Sequence, residues 1–198
     1  MSFNQEPNID GEEKELVTIK IVVLGKSLVG KSAITYRFIS DKFPTEHDTT
    51  VEDQYKTIAT VNDTKCELEI LDTAGQDDYQ TMLDTWIEFG NCFLLVYSID
   101  DEDSFKQIKF KYERIEQIKN NEKFSVIIVG NKCDLPDSKR KVTKAEGENF
   151  GNNIGVTAIE VSALNRINVK EAFIQVVHDY LTKSKKGNDK GSMGCPCF

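Results

Sequence analysis

The sequence has no apolar run long enough to cross a bilayer. Its longest apolar runs, residues 92–97 (CFLLVY) and 126–130 (VIIVG), are far shorter than the roughly 20 residues that a membrane-spanning helix needs. Residues 1–15 contain neither a basic start nor an apolar stretch, and Ser2 stands where N-myristoylation would require glycine. We therefore expect no secretory signal and take the cytosol as the default compartment.

Cysteines with metal-site spacing and an excess of basic residues are missing as well. The five cysteines are scattered, apart from a C-x-C pair at the end of the chain, which predicts neither a metal site nor, in a reducing compartment, disulfides. There are 25 Lys and Arg against 33 Asp and Glu, for a net charge of −8. Because a phosphate backbone requires clustered Lys and Arg, nucleic acid is not expected as a main partner.

The chain is long enough for one domain and its tails. With 198 residues, of which 39% are hydrophobic, it can bury one substantial core. We place the domain at residues 18–182 and expect residues 1–17 to form an acidic, flexible N-terminal extension. Residues 183–198 carry four Lys against one Asp and have no apolar periodicity, which predicts a flexible basic tail.

Strand and helix patterns alternate within the domain. Apolar runs predict strands, and apolar residues recurring on one face predict helices. The expected elements are a strand at 18–25, a helix at 32–43, a strand at 92–98, a helix at 105–118, strands at 125–130 and 156–161, and a helix at 169–181.

A hairpin is predicted between the first helix and the later strands. Residues 53–61 and 65–71 alternate apolar and polar side chains on either side of the turn-like pair Asn62 and Asp63. The expected fold class is therefore α/β: one domain with a six-stranded, mostly parallel sheet, one antiparallel edge strand and helices on both faces. Such sheets bind ligands at the carboxyl ends of their strands.

A phosphate-binding loop is predicted at residues 25–32. The stretch GKSLVGKS fits G-x-x-x-x-G-K-[ST] and lies between a predicted strand and a predicted helix. Its glycines let the backbone N–H groups surround phosphates, with Lys31 reaching the outer phosphates and Ser32 binding Mg²⁺. The alternative, an ordinary strand-to-helix turn with an exposed lysine, is disfavoured by this context.

The segment DTAGQ, residues 72–76, follows the second hairpin strand directly. A carboxylate at Asp72 could hold Mg²⁺ through water, and the N–H of Gly75 could meet a terminal phosphate. An ordinary strand exit with Asp and Gly is the alternative, and the preceding phosphate loop favours the functional interpretation.

Base recognition is predicted at NKCD, residues 131–134, which ends another strand. The two oxygens of Asp134 match the paired N1–H and N2–H donors of guanine, whereas adenine presents an acceptor at N1 and would leave the carboxylate unpaired. This favours GTP over ATP. The SAL segment, residues 162–164, also follows a strand, as a guanine-contacting loop should.

With these motifs in this order, the sequence resembles the Ras family of small GTPases over about residues 18–182. TVEDQY at 50–55 resembles the effector segment of that family, and LDTAGQDDY at 71–79 is more similar to Ras than to Rab. No Rho-type insert follows residues 131–134. The resemblance implies a P-loop NTPase G domain that binds GTP and GDP with Mg²⁺ and hydrolyses GTP slowly.

The resemblance also implies roles for individual residues. In hydrolysis, Gln76 would orient the attacking water. Lys31, Thr50 and Gly75 would contact the γ-phosphate. The loops that contain Thr50 and Gly75 would relax when this phosphate leaves. The implied Mg²⁺ ligands are Ser32, Thr50 and Asp72. The implied nucleotide-binding residues are Gly25, Ser27, Leu28, Val29, Gly30, Lys31, Ser32, Ala33, Phe43, Thr50, Asn131, Lys132, Asp134, Leu135, Ser162, Ala163 and Leu164. Within this set, Phe43 would pack against guanine and the backbone of Ala163 would face its oxygen.

Several positions depart from the Ras pattern. Ras has glycine at the positions of Ser27 and Leu28. Serine at the position of Ser27 is frequent in Rab proteins. A leucine at position 28 would be strained if the loop required a positive φ there. Leu164 replaces the usual Lys of SAK. His47 and Thr49 replace the Tyr and Pro usual in Ras, and the segment HDTTVEDQY contains no arginine, so none is supplied in cis.

Trp86, the sole tryptophan, has two interpretations. By the family spacing it lies in the switch II region, and a buried anchor of a helix is favoured over a direct ligand contact.

The expected partners follow from the resemblance. Effector proteins would bind through Thr50, Val51, Glu52, Asp53 and Tyr55, an exchange factor and a GTPase-activating protein would act on the nucleotide, and the protein would be a monomer. Cys195 lies four residues from the end in CPCF, which fits a C-a-a-X site whose terminal Phe favours geranylgeranyl. The tail lysines would supply the second membrane signal, and an unmodified tail is the alternative.

Three functions remain open from the sequence. A membrane-tethered GTPase switch is favoured by Gln76 and Thr50. A hydrolysis-impaired docking protein, locked in one nucleotide state by Ser27 and Leu28, is the alternative. A general P-loop ATPase is disfavoured by Asp134.

Overall fold

The computed structural model describes residues 16–43, 52–75 and 80–188. In these ranges the chain forms six strands and five α-helices. The strands are β1 (Val17–Gly25), β2 (Glu52–Val61), β3 (Thr64–Thr73), β4 (Cys92–Ser98), β5 (Ser125–Asn131) and β6 (Thr157–Glu160). The helices are α1 (Lys31–Ser40), α2 (Gln80–Phe89), α3 (Glu102–Ile118), α4 (Lys144–Ile154) and α5 (Val169–Asn188), with a short 3-10 helix at Asp137–Lys139.

All six strands form one sheet in the order β2-β3-β1-β4-β5-β6. Every neighbouring pair is parallel except β2 with β3, so the predicted sheet with one antiparallel edge strand is confirmed. The five parallel strands therefore end at the same edge of the sheet. The loops after β1, β3, β5 and β6 meet there, and β1 lies between β3 and β4, where the direction of strand addition reverses.

The hairpin of β2 and β3 is closed by Asn62 and Asp63. Both residues have positive φ, 50° and 59°, as a two-residue turn of the I′ type requires. Pairing is continuous from Glu52 opposite Thr73 to Val61 opposite Thr64, so β2 begins at the edge where the parallel strands end.

Two apolar layers cover the sheet. Because side chains alternate along a strand, Ile21 and Val23 of β1 face α1 and α5, whereas Val22 and Leu24 face α2 and α3. Phe173 of α5 is fully buried in the first layer and stacks on Phe38 of α1. The helices predicted on both faces are thus present.

Two helices end elsewhere than the sequence pattern indicates. The predicted first helix continues to Phe43, but α1 ends at Ser40 because Asp41 adopts the left-handed conformation, φ 56°, and its N–H closes the last turn on the carbonyl of Arg37. At the other end of the domain, α5 continues through residues 183–188, past the boundary placed at 182.

Helix α4 was not predicted. Its apolar periodicity is weak, because Gly147 and Gly151 occupy its buried face. A Cβ at Gly147 would lie 2.6 Å from the Tyr97 hydroxyl, so the glycine allows close packing on β4. The available signal was the capping box of Thr143 and Glu146, whose side chains each accept a backbone N–H from the other residue.

Candidate nucleotide-binding site

The loop after β1 carries a buried lysine. Lys31, the first residue of α1, is 6% exposed, and its ammonium donates to the carbonyl of Lys26 at 3.0 Å. Burial lowers the pKa of Lys31 to about 8, although the nearby Asp72 carboxylate acts in the opposite direction. A desolvated ammonium facing this loop is suited to phosphate oxygens, which would replace its lost hydration.

Leu28 has a positive φ, the conformation that would strain a leucine at this position. Its φ is 65°, in the left-handed region, and its side chain is 89% exposed. The side chain therefore gains little by burial, while its Cβ makes the backbone conformation unfavourable. Ser27 and Val29 lie on either side, and Val29 is buried.

Glycines allow close approaches at two points of this edge. Gly30 has φ 93°, and a Cβ there would lie 2.4 Å from the side-chain amide nitrogen of Asn131. A Cβ on Gly75 would lie 2.4 Å from the backbone nitrogen of Ser27 and 2.5 Å from Nζ of Lys31. The DTAG segment is thus placed directly against the phosphate loop.

Asp72 at the end of β3 is a buried carboxylate. It is fully buried, and neither oxygen has a hydrogen-bond partner among the described residues. Burial raises its pKa to about 6, whereas the nearby Ser32 hydroxyl and the Lys31 ammonium act to lower the pKa. The Asp72 carboxylate and the Ser32 hydroxyl both offer oxygen atoms, the ligands that Mg²⁺ prefers. The residues present therefore fit this metal.

The Asn131 side chain joins the phosphate loop to the loop after β6. Its amide nitrogen donates to the carbonyl of Val29 at 2.8 Å, and its oxygen accepts the N–H of Ala163 at 3.4 Å. Residue 131 is separated from these partners by 102 and 32 positions. The predicted phosphate and base segments therefore lie side by side.

The segments NKCD and SAL also contact each other. The hydroxyl of Ser162 donates to an oxygen of Asp134 at 2.5 Å and accepts the N–H of Asn165 at 2.9 Å. Asp134 is half-buried, so the carboxylate is oriented but reachable. Lys132, at φ 68°, forms an ion pair with Asp100 at 3.5 Å.

The remaining predicted contacts are arranged around this edge. Ala33 is at the first turn of α1 and is buried, Leu135 packs on the α3 side of the sheet, and Leu164 is 55% exposed. Gly25 ends β1. Phe43 is partly buried, with the guanidinium carbon of Arg37 5.7 Å from its ring centroid.

Some predicted residues lie outside the described residues. These are Thr50, Val51, Gln76 and Cys195, together with His47 and Thr49. The other predicted effector residues are on β2, where Glu52 and Asp53 are exposed and Tyr55 is half-buried.

Trp86 is a buried anchor of α2, as favoured from the sequence. It is 4% exposed, and its indole N–H donates to the Glu52 carboxylate at 2.7 Å. This bond joins α2 to the first residue of β2.

Two basic side chains at this edge of the sheet are not predicted from the sequence. Lys26, at a variable position of the loop motif, forms ion pairs with Asp101 at 3.1 Å and Asp103 at 2.8 Å, which tie the loop to the start of α3. Arg37 of α1 is buried and bonds to carbonyls of the loop after β6. No local signal marks either contact, because the partners are distant in sequence.

Comparison with known proteins agrees with these motifs. The sequence profile described as "Ras family" matches residues 20–182. The chain is 44% identical over 167 residues to "Ras-like protein rasB" of Dictyostelium discoideum, covering 84% of each chain. It is 39% identical over 181 residues to a "Ras-like protein" of Laccaria bicolor, covering 91% of this chain and 86% of the relative.

Proposed function

Because the chain belongs to the Ras family of small GTPases, we propose that it is a GTP-dependent molecular switch whose GTP-bound form recruits effector proteins. The chain is a GTPase, and the proteins of its family bind GTP and GDP, generally with Mg²⁺. The observation that carries the proposal is the contact of Asn131 with both Val29 and Ala163. It joins the loop that we propose binds the phosphates to the loop that we propose binds guanine.

The phosphates would bind in the loop of residues 25–32. Backbone N–H groups at the start of α1 and the ammonium of Lys31 supply positive charge. Gly75, packed against Ser27 and Lys31, would offer its N–H to the γ-phosphate. Removal of that phosphate takes away the group that holds the DTAG segment and the segment containing Thr50, which is the physical basis of a switch.

The metal would be held by Ser32 and Asp72, with Thr50 as the third protein ligand. When bound, Mg²⁺ neutralises charge on the β- and γ-phosphates. The part played by this chain is to keep a carboxylate dry and unpartnered beside a hydroxyl. Burial removes the water that would stabilise the charged form of Asp72. A bound cation would stabilise that charge instead.

Hydrolysis should be slow without a partner. Gln76 would orient the attacking water, but residues 47–55 contain no arginine. An arginine supplied by a second protein adds about 10³–10⁵ in rate in Ras and related GTPases. Such a gain is expected from a GTPase-activating protein.

Single-turnover hydrolysis distinguishes the switch from its alternative. The alternative, a docking protein impaired in hydrolysis, is favoured by the strained Leu28 beside the phosphate site. We expect protein loaded with GTP to convert it slowly to GDP and phosphate, and faster after addition of a Ras-family activating protein. Absence of phosphate release under both conditions would establish the docking protein instead.

Guanine selectivity is assigned to Asp134. Asparagine at this position offers one acceptor and one donor, which match the N1–H and O2 of xanthine instead of the two donors of guanine. Asp134→Asn should therefore bind GDP at least about tenfold more weakly and gain affinity for xanthosine diphosphate, measured by calorimetry. Asp137→Asn, which makes the same change at an exposed residue of the 3-10 helix, should leave both affinities unchanged.

Effectors would dock at the free edge of β2. This strand pairs only with β3, so its other edge carries no strand among the described residues. An edge strand presents N–H and C=O groups that a partner strand can pair with. Exposed Glu52 and Asp53 favour a basic partner surface.

Membrane attachment would come from the tail. The described residues contain no helix that is both long and apolar enough to span a bilayer. A prenyl group on Cys195, aided by the four tail lysines, would anchor the protein to the cytoplasmic face of a membrane.

A further inference from the structure

We propose that Arg37 is a positioning residue for guanine binding, and that with Arg166 it clamps the base loop, residues 162–168 after β6, to the end of α1. This inference rests on the proposed function, since it assigns the way in which the base loop is held. Neither arginine belongs to the phosphate, metal or base motifs.

The guanidinium of Arg37 bonds to three backbone carbonyls. Its Nε donates to Ala163 at 2.8 Å, and its two terminal nitrogens donate to Leu164 at 3.1 Å and to Asp41 at 3.0 Å. Two of these carbonyls are in the base loop, 126 and 127 residues away. The third belongs to Asp41, the residue that directly follows α1. One rigid group therefore fixes the base loop relative to α1.

The burial of Arg37 makes this contact strong. The residue is 8% exposed, and none of the ion pairs within the described ranges involves it, so its charge is met by carbonyl oxygens. A charged donor in a dry environment forms stronger hydrogen bonds than a neutral one, and leaving it unpaired is costly. The planar guanidinium presents its donors in a fixed arrangement that a lysine cannot reproduce.

Arg166 ties the base loop to the same point from outside. It lies in the loop at φ 60° and donates to the Asp41 carbonyl at 2.8 Å, while pairing with the Asp41 carboxylate at 3.1 Å. The Asp41 carbonyl thus accepts one bond from α1 and one from the base loop. Arg166 is largely exposed, so this second tie should be weaker than the first.

Arg37 contacts residues that are expected to lie on two sides of the bound base. Arg37 holds the peptide of Ala163, whose N–H is expected to meet the guanine oxygen, and its guanidinium lies over the ring of Phe43, which is expected to pack on the base. Phe43 follows Asp41 by two residues. Loss of the clamp should loosen the N–H donor and the aromatic wall together, and so shorten the residence of the nucleotide.

The test measures dissociation of fluorescent GDP from the full-length protein. Arg37→Ala and Arg37→Lys should both release GDP about tenfold faster or more, because each loses charge-assisted bonds to the base loop. Arg166→Ala should accelerate release by a smaller factor and, being a surface change, should leave the fold intact. The control is Arg114→Ala, which removes an arginine whose partners are Asp84 and Gln117; its release rate should equal that of wild type.

A second readout separates positioning from general destabilisation. 6-Thio-GDP differs from GDP only at the atom expected to face the Ala163 N–H, so wild type should prefer GDP. This preference should shrink in the Arg37 and Arg166 variants, whereas a merely weakened fold would reduce both affinities in parallel. Unchanged release rates, or a preference for GDP over 6-thio-GDP equal to that of wild type, would overturn the clamp. If wild type itself did not prefer GDP to ADP, the proposed function would fail instead.

Discussion

Leu28 is the residue at which the phosphate loop departs furthest from an unstrained conformation. A glycine can adopt φ 65° freely, whereas a residue with a Cβ is disfavoured there by about 1–2 kcal/mol. Since the side chain is 89% exposed, burial offsets little of this penalty. The strain is therefore stored beside the site where phosphates are expected.

Relieving this strain should stabilise the protein. Leu28→Gly removes the Cβ but adds backbone entropy to the unfolded chain, about 0.5–1 kcal/mol, so the net gain should be about 1 kcal/mol. For a protein of this size that raises the melting temperature by roughly 2–4 °C, measured by thermal denaturation. Leu28→Ala is the matched control, because it removes the exposed side chain and keeps the Cβ; an equal gain in both variants would contradict strain as the cause.

The sequence predicts the residues of the candidate site where these residues are contiguous in the chain. The loop of residues 25–32 is contiguous, and the structure places Lys31 and Ser32 at its end, close to Asp72. Arg37 could not be predicted, because its partners lie 126 and 127 residues away and helical periodicity marks such a residue only as one more side chain of α1. Contacts of this kind depend on the folded loop.

At the scale of elements, one hydrogen bond joins the first residue of β2 to the second half of α2. Glu52 directly follows residues 44–51, Trp86 lies in the helix that directly follows residues 76–79, and the indole N–H donates to the Glu52 carboxylate at 2.7 Å. Those two segments contain Thr50 and Gln76. The bond therefore links the elements that adjoin both predicted nucleotide-responsive segments.

Trp86 emission should report the nucleotide state. Indole fluorescence depends on the hydrogen bond that its N–H makes, so spectra of the GDP form and of the form with a non-hydrolysable GTP analogue should differ. Glu52→Ala should remove most of that difference. Glu88→Ala, an exposed change on the same helix, should preserve it. Identical wild-type spectra in the two forms would exclude a link between this bond and the nucleotide.

The elements were predictable to the extent that their apolar patterns are regular. All six strands appear at the expected places, because the central strands of a parallel sheet are continuous apolar runs and the two hairpin strands alternate apolar and polar residues. Helix α4 was missed, since Gly147 and Gly151 replace apolar side chains on its buried face. The end of α1 depends on the left-handed conformation of Asp41, which the sequence does not specify.

At the scale of the whole molecule, charge is distributed unevenly along the chain. Residues 1–15 contain five acids against one Lys, whereas residues 183–198 contain four Lys against one Asp. An anionic membrane surface would attract the second end and repel the first. This asymmetry favours an orientation in which the C-terminal end approaches the bilayer.

If Cys195 is the membrane anchor that we propose, its removal should release the protein from membranes. One lipid chain and a basic segment anchor a protein only together, so Cys195→Ser should move it to the soluble fraction in cell fractionation. Cys197→Ser is the matched control and should remain membrane-bound, since prenylation is expected at Cys195. Membrane association of Cys195→Ser equal to that of wild type would exclude the prenyl group as the main anchor.

The close approach of Gly30 to Asn131 constrains how the two positions can change during evolution. A Cβ at this glycine would lie 2.4 Å from the amide nitrogen of Asn131, the same nitrogen that bonds to Val29. The two positions are far apart in the gene, yet a side chain at residue 30 would displace that of residue 131. Because Gly30 also has φ 93°, a smaller residue at 131 would remove the clash but not the backbone strain, so a Gly30 substitution should not revert through codon 131 and lineages should retain both residues.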